Sequence, residues 1–294
     1  MLTLKPGRER PTALFLMVLT ATLWSLGGLL IKTINAHPLA IAGVRSTFAS
    51  IVILLWIKKP KFTWSKDQIF AAIGYCGAVL IYVVATKATT AANAILLQST
   101  APIYVALLSS FMLRERVRTL DWITIAVVMG GMVLFFMDSL SAEGMFGNIM
   151  ACLSGVSFAF MHVFMRRQKN TSPGESILLG NILTAVIGLP FLFVAFPGSM
   201  DWVYLSAIGI VQLGIPYVLY AVAIRHVTAL EAVLLSGIEP ILNPLWVFLF
   251  IGERPGMWAI VGGVIVLGAV TTRCVITVKQ AKIEQQAKEA LESA

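Results

Sequence analysis

The chain has 294 residues, of which 58% are hydrophobic and only 12% charged, whereas soluble globular proteins carry roughly 25% charged residues. So apolar a chain cannot clothe a water-facing surface, so the lipid bilayer is its solvent and its first partner. The net charge of +8 tracks membrane orientation, as its placement shows, and points to no nucleic acid.

The chain opens with Lys5, Arg8 and Arg10, followed by an apolar run of about twenty residues from Thr12 to Ile31. That is longer than the roughly 7–15 residues of a signal-peptide core, so a retained first span is expected. Similar runs recur to the end of the chain. Their lengths predict an all-α, polytopic membrane protein with ten transmembrane helices at 12–34, 39–57, 69–86, 91–113, 120–137, 146–165, 176–196, 202–224, 229–251 and 257–277, each close to the seventeen to twenty-five residues a bilayer requires. Residues 279–294 form a polar, helix-prone tail.

Polar and aromatic residues inside these runs are the candidate functional groups. The first span holds Trp24. The second holds Arg45, about 9 Å from its nearer end, which either snorkels outward, pairs with Glu239 or meets a substrate carboxylate. The third places Tyr75 and Tyr82 on one face. In the fourth, Gln98 stands one turn before Pro102 and serves either a cavity or helix packing. Tyr104 and Tyr217 also lie within apolar runs. Glu115 and Glu253 begin tight turns, where capping is expected. His162, in the sixth span, has no metal partner in sequence and is expected to pack or hydrogen-bond. In the eighth, Gln212, Pro216 and Tyr220 share a face. The ninth carries the stripe Ser236, Glu239, Asn243, at i, i+3 and i+7, on one face. Glu239 lies about 15 Å deep. It is either functional or satisfies backbone groups freed by Pro240 and Pro244. Gly27, Gly28, Gly130, Gly131, Gly262 and Gly263 read as close helix contacts. The candidate substrate contacts are therefore Trp24, Arg45, Tyr75, Tyr82, Gln98, Gln212, Tyr220, Ser236, Glu239 and Asn243.

Charge sets the orientation. With ten crossings both termini share a side, and eighteen Lys and Arg fall in the segments of that side against three (Lys32, Lys87, Arg254) opposite, with Arg45 inside a span. The positive-inside rule places both termini in the cytoplasm. The three cysteines, Cys76, Cys152 and Cys274, all lie in apolar runs; no disulfide and no metal or cofactor site is expected.

Residues 82–116 laid over 220–254, an offset of 138, give 13 identities in 35 ungapped positions, including Tyr82/Tyr220, Pro102/Pro240 and Glu115-Arg116/Glu253-Arg254. The halves, 1–140 and 141–278, hold five spans each. Five is odd, so the second half enters the membrane inverted. Inverted repeats mark secondary transporters.

The stretches "LWSLGGLLIK", "HPLAIAGVRSTFAS", "LIYVVATKATTAANAILLQSTAPIYVALLSSFMLRER" and "VLYAVAIRHVTALEAVLLSGIEPILNPLWVFLFIGER" resemble the drug/metabolite transporter superfamily, specifically its ten-helix EamA-type exporters. The resemblance implies an inner-membrane exporter of amino acids or other small metabolites, with helices 1–4 and 6–9 around a central cavity and helices 5 and 10 peripheral. One departure stands out. The four-helix drug exporters of the superfamily place a carboxylate in helix 1, whereas neither the first nor the sixth span here contains an acid, so that proton-exchange mechanism does not carry over.

The competing readings are a multispanning enzyme, which lacks the expected clusters of His, Asp or Cys, and a membrane scaffold or assembly protein, which leaves the repeat unexplained. Within transport, the alternatives are a passive facilitator and a carrier of phosphorylated metabolites. The latter would want several Lys or Arg inside the spans, which helices 3–10 do not offer. The expected state is a monomer or homodimer handling a small-molecule substrate.

Overall fold

The computed structural model describes residues 9–115, 117–137, 144–171, 173–242, 246 and 256–292, without the side chains of 28, 29, 32, 91, 92, 274, 278 and 280–292. Helix follows from the medium. In hydrocarbon each backbone amide must be satisfied within its own segment. Helices α1 (Glu9–Trp24), α2 (Gly27–Thr33), α3 (Pro38–Ile57), α4 (Lys66–Ala88), α5 (Ala91–Gln98), α6 (Ala101–Met112) and α7 (Thr119–Phe136) make the first half. The second half has α8 (Met145–Arg167), α9 (Pro173–Gly188, continued by a 3₁₀ turn Leu189–Phe193), α10 (Ser199–Ala207), α11 (Ile215–Ala223), α12 (Ala229–Ser236), α13 (239–242) and α14 (Met257–Glu292). Among the described residues eight helical segments are long and apolar enough to cross a membrane. The chain is a multi-pass membrane protein. Large side chains such as Phe15, Phe111 and Phe193 lie outside at 63%, 89% and 92% exposure, an arrangement suited to lipid and costly in water.

The remaining two expected spans are both interrupted. The stretch 12–34 breaks at Ser25–Leu26, between α1 and α2. The stretch 229–251 breaks at Gly237–Ile238, between α12 and α13, and then runs beyond the described residues. The fourth span breaks too, at Ser99–Thr100 between α5 and α6. Positions 99–100 and 237–238 are related by the same offset of 138. Each break precedes a proline, Pro102 or Pro240, that cannot donate to the turn before it. The eighth span contains a wide π turn, Ile208–Gly214, between α10 and α11.

The offset of 138 also relates side chains. Thr90 accepts from the Asn93 amide at 3.1 Å, and its counterpart Thr228 accepts from the Glu231 amide at 3.1 Å; each caps its helix. Lys87 donates to the Ile34 carbonyl at 2.7 Å at one end of the bundle. Its counterpart Arg225 donates to the Thr171 carbonyl at 3.2 Å at the other. We call these the Lys87 end and the Arg10 end.

Between the halves, α4 packs along α8, α3 along α9 and the π turn, and α1 along α11. Helix α7 packs along α14, where a Cβ on Gly262 would lie 2.4 Å from the Gly131 carbonyl. Gly131 and Gly262 are thus close contacts, and Gly27 lies against the Gln212 side chain. Gly130 differs from expectation: a Cβ there meets nothing within 4 Å, so it faces outward. Gly263 is in ordinary contact only. Glu115 does cap, but on a distant helix: it accepts from the first amide of α12, at Ala229, and pairs with Arg166 at 3.0 Å.

Candidate functional site

Among the described residues, two adjoining cavities lie between the halves. One, of about 400 Å³, is lined by Trp24, Arg45, Tyr82, Gln98, Gln212, Tyr217 and Glu239, with Phe158 and apolar residues of α4. The other, of about 390 Å³, is lined by Gln98, Ser99, Pro102, Ser236, Glu239 and Pro240 among others. Gln98, Phe158 and Glu239 belong to both walls and mark where the two meet.

The breaks and the π turn supply the polar groups. Interrupting the first span at Ser25 frees the Trp24 carbonyl, and Gln212 donates to it through Nε2 at 3.2 Å. Gln212 reaches that carbonyl from the π turn, a distortion often found at functional sites. The π turn approaches α3 closely because Gly209 has no side chain: a Cβ there would sit 2.6 Å from Phe48 Cβ and 2.8 Å from the Arg45 carbonyl. Ser25, in the break, accepts from Trp246 Nε1 at 2.7 Å.

Arg45 is 2% exposed. It does not snorkel; its guanidinium turns inward and donates to the Val79 carbonyl at 3.3 Å. Among the described residues it makes no ion pair, although it and Glu239 share a cavity wall and interact electrostatically across it. Glu239 is half-buried and opens the first turn of α13, where the helix dipole favours a negative charge. Three residues of this wall each keep a buried polar atom without a hydrogen-bond partner among the described residues: Trp24 Nε1, Arg45 Nε and Gln212 Oε1. Buried polar atoms are nearly always paired. Two donors and an acceptor, together with an acid, therefore form an incomplete polar surface.

Gln98 donates to Ser154 Oγ at 2.7 Å, and Ser154 passes the bond on to the Ala78 carbonyl at 3.0 Å. Ser236 lines the second cavity, with its hydroxyl on the Val233 carbonyl at 2.7 Å. Tyr82 is on the wall of the first. Tyr75 and Tyr220 stand behind the wall. Both are fully buried. Tyr75 donates to Asn181 at 3.0 Å and packs on Tyr217. Tyr220 OH lies 2.9 Å from His162 Nδ1, the kind of bond expected for that histidine. Asn243 lies outside the described residues. The wall also contains Phe158 and Tyr217, which sequence reasoning had not selected. Phe158 has no signal in an apolar run, and Tyr217 had only its phenol. Helix α7 contributes Val128 and Met132 to the second cavity, so the fifth span is less peripheral than the resemblance implies.

An all-helical bundle of apolar spans, with interrupted helices meeting at an internal polar cavity, defines a membrane transporter and not an enzyme. A family model matches the chain twice, at residues 11–137 and 145–272. The chain belongs to the EamA-like transporter family, within the drug/metabolite transporter superfamily. It is 27% identical to an uncharacterized transporter of Archaeoglobus fulgidus, over 86% of this chain and 93% of that one. It is 26% identical to the pseudopaline exporter CntI of Pseudomonas aeruginosa (88% and 94%) and 21% identical to the threonine/homoserine exporter RhtA of Escherichia coli (84% and 88%). A solved crystal structure superposes with a TM-score of 0.77 at 19% identity, covering 89% of this chain and 96% of the other, which shows the shared fold.

Proposed function

We propose that the protein is a secondary transporter of the inner membrane that exports small amphoteric metabolites, amino acids or close relatives, by alternating access. The observation that carries this reading is the joint placement of Arg45 and Glu239 on one cavity wall. The Arg45 Nε–H and Trp24 Nε1–H suit a carboxylate. Gln212 Oε1 and the Glu239 carboxylate suit an ammonium group. The relatives named as exporters of pseudopaline and of threonine and homoserine support the direction and the chemistry. Ser236 extends the site on the α12–α13 side.

The halves 1–140 and 141–278 are the two inverted units, with 279–294 as a cytoplasmic tail. The Arg10 end is the cytoplasmic one, in keeping with eighteen basic residues against three. Glu239 is the group that exchanges a proton during the cycle, since the first and sixth spans offer no acid.

The test is counterflow in proteoliposomes, with a panel of labelled amino acids, their amides and their decarboxylated amines, each with and without an imposed pH gradient. Exchange restricted to compounds with both a carboxylate and an amine is expected. Equal exchange of the amides and amines would refute the amphoteric site, and no exchange across the panel would refute the substrate class.

A further inference from the structure

The offset of 138 relates two further pairs of residues, and these lie at opposite ends of the cavities. Arg10 at the start of α1 donates to Glu231 on α12 at 2.7 Å. The positions equivalent to Arg10 and Glu231 in the other half are Asn148 and Asn93. They also touch: Asn93 Nδ2 donates to Asn148 Oδ1 at 3.0 Å, between α5 and α8. Two junctions related by the offset, α1–α12 and α8–α5, are thus each closed by a contact at its own end, and both contacts are made at once in this structure.

Their chemistry is not equivalent. At the Arg10 end the contact is ionic and embedded. Thr277 donates to the same Glu231 oxygen at 3.1 Å, Arg273 donates to Thr277, and Arg273 pairs with Asp121 at 2.8 Å. Glu231 is 5% exposed. At the Lys87 end the contact is neutral: Asn148 accepts from Asn93 and from Thr89 at 2.8 Å.

We infer that Arg10–Glu231 and Asn148–Asn93 are the two gates of the transporter, and that the ionic gate holds the Arg10 end shut more firmly than the amide gate holds the Lys87 end. The inference rests on the alternating-access reading, in which one junction parts while the other stays closed. Parting the Arg10 junction takes a 36% exposed Arg10 from a buried carboxylate that Thr277 also holds, whereas parting the other breaks hydrogen bonds of Asn148 to a neutral amide and a threonine hydroxyl. The unliganded protein therefore spends more time open toward the Lys87 end. This asymmetry lies in side chains that differ between the repeats: Arg10 and Glu231 against Asn148 and Asn93, with Arg273 and Asp121 behind the ionic pair.

The experiment uses the full chain with Cys76, Cys152 and Cys274 replaced by alanine and with Ser99→Cys as a reporter on the cavity wall. A membrane-impermeant maleimide is applied from either side of oriented vesicles, and the ratio of labelling rates is measured. Labelling should be faster from the Lys87 side. Arg10→Gln, which leaves the Glu231 cap on Thr228 in place, should raise labelling from the Arg10 side by about threefold or more, and Arg10→Lys should reverse most of that change. Asn93→Glu with Asn148→Arg, which installs an ion pair at the other end, should lower labelling from the Lys87 side. If the reporter is reached from both sides but neither change moves the ratio, the gates are misassigned while alternation stands. If it is reached from one side only in every variant, alternation fails, and the gates with it.

Discussion

Ala101 and Glu239 hold the same position in the two halves: each is the first residue after a two-residue break in an apolar span, and each is followed by a proline. One half places a methyl group where the other places a carboxylate. A repeat that kept the break but not the acid points to the break as the shared architectural element and the acid as the specialised one. Glu239→Gln should therefore keep the fold and retain substrate counterflow, while gradient-driven accumulation falls about tenfold or more, equivalent to about 1.4 kcal/mol of lost coupling. Wild-type accumulation by the purified variant would remove the coupling role.

Arg45 has one bond to the Val79 carbonyl and one unpartnered donor. Replacing it by glutamine removes the charge but keeps a donor. Half-saturation for carboxylate substrates should rise by about ten- to a hundredfold, the loss expected of a charge-assisted hydrogen bond. Amide analogues, which the wild type is expected to exchange poorly, should not be exchanged less well by the variant. An unchanged midpoint of thermal unfolding in detergent separates recognition from general damage.

Gln212 holds the carbonyl freed at the break between α1 and α2. Gln212→Leu leaves that carbonyl unsatisfied, at a cost of about 1 kcal/mol in a membrane interior. A lower midpoint of thermal unfolding in detergent is expected, with Gln212→Glu or Gln212→Asn recovering less than the wild type because neither places a donor at the same reach.

Two glycines of the α7–α14 region give an internal control. Gly262→Ala drives a methyl into the Gly131 backbone and should destabilise by about 1–3 kcal/mol, as overpacked sites do. Gly130→Ala points into open space and should be neutral or gain about 0.5–1 kcal/mol from better helix propensity. Detergent melting of the two variants side by side decides the matter; equal midpoints would mean that the α7–α14 contact is dispensable.

Orientation is checked by fusing a reporter that is active only outside the cytoplasm. Fusions after residue 294 and in the loop following Arg167 should be silent, and a fusion near Glu143 should be active. The opposite pattern would invert the gate assignments together with the topology.

Much of this was legible in the residues. Prolines at 102 and 240 mark the paired breaks, because each lacks the donor for the turn before it, although the apolar runs 91–113 and 229–251 read as unbroken spans. The break in the first span did not show. It has no proline, and depends on Gly27 lying against Gln212, a residue almost two hundred positions away. The π turn has no signature of its own; its two bounding contacts, Gly209 and Gly214, read as ordinary small residues. A shared helix face put Tyr75 with Tyr82, yet Tyr82 lines the first cavity and Tyr75 stands behind it, because a face does not say which neighbour fills it. Asn181 took Tyr75 and His162 took Tyr220, so those phenols serve the wall from behind. Arg45 turned inward because Val79 offers a carbonyl at depth, which composition alone cannot reveal.

The packing of α3 and α4 against α9 and α8 bears on how the protein is made. Tyr75 on α4 finds Asn181 only on α9, and Gln98 on α5 finds Ser154 only on α8. As the chain leaves the ribosome, the first five spans enter the lipid with these groups unmatched, and they wait for partners that have yet to be synthesised. The first half therefore reaches its full set of hydrogen bonds only once α8 and α9 lie beside it.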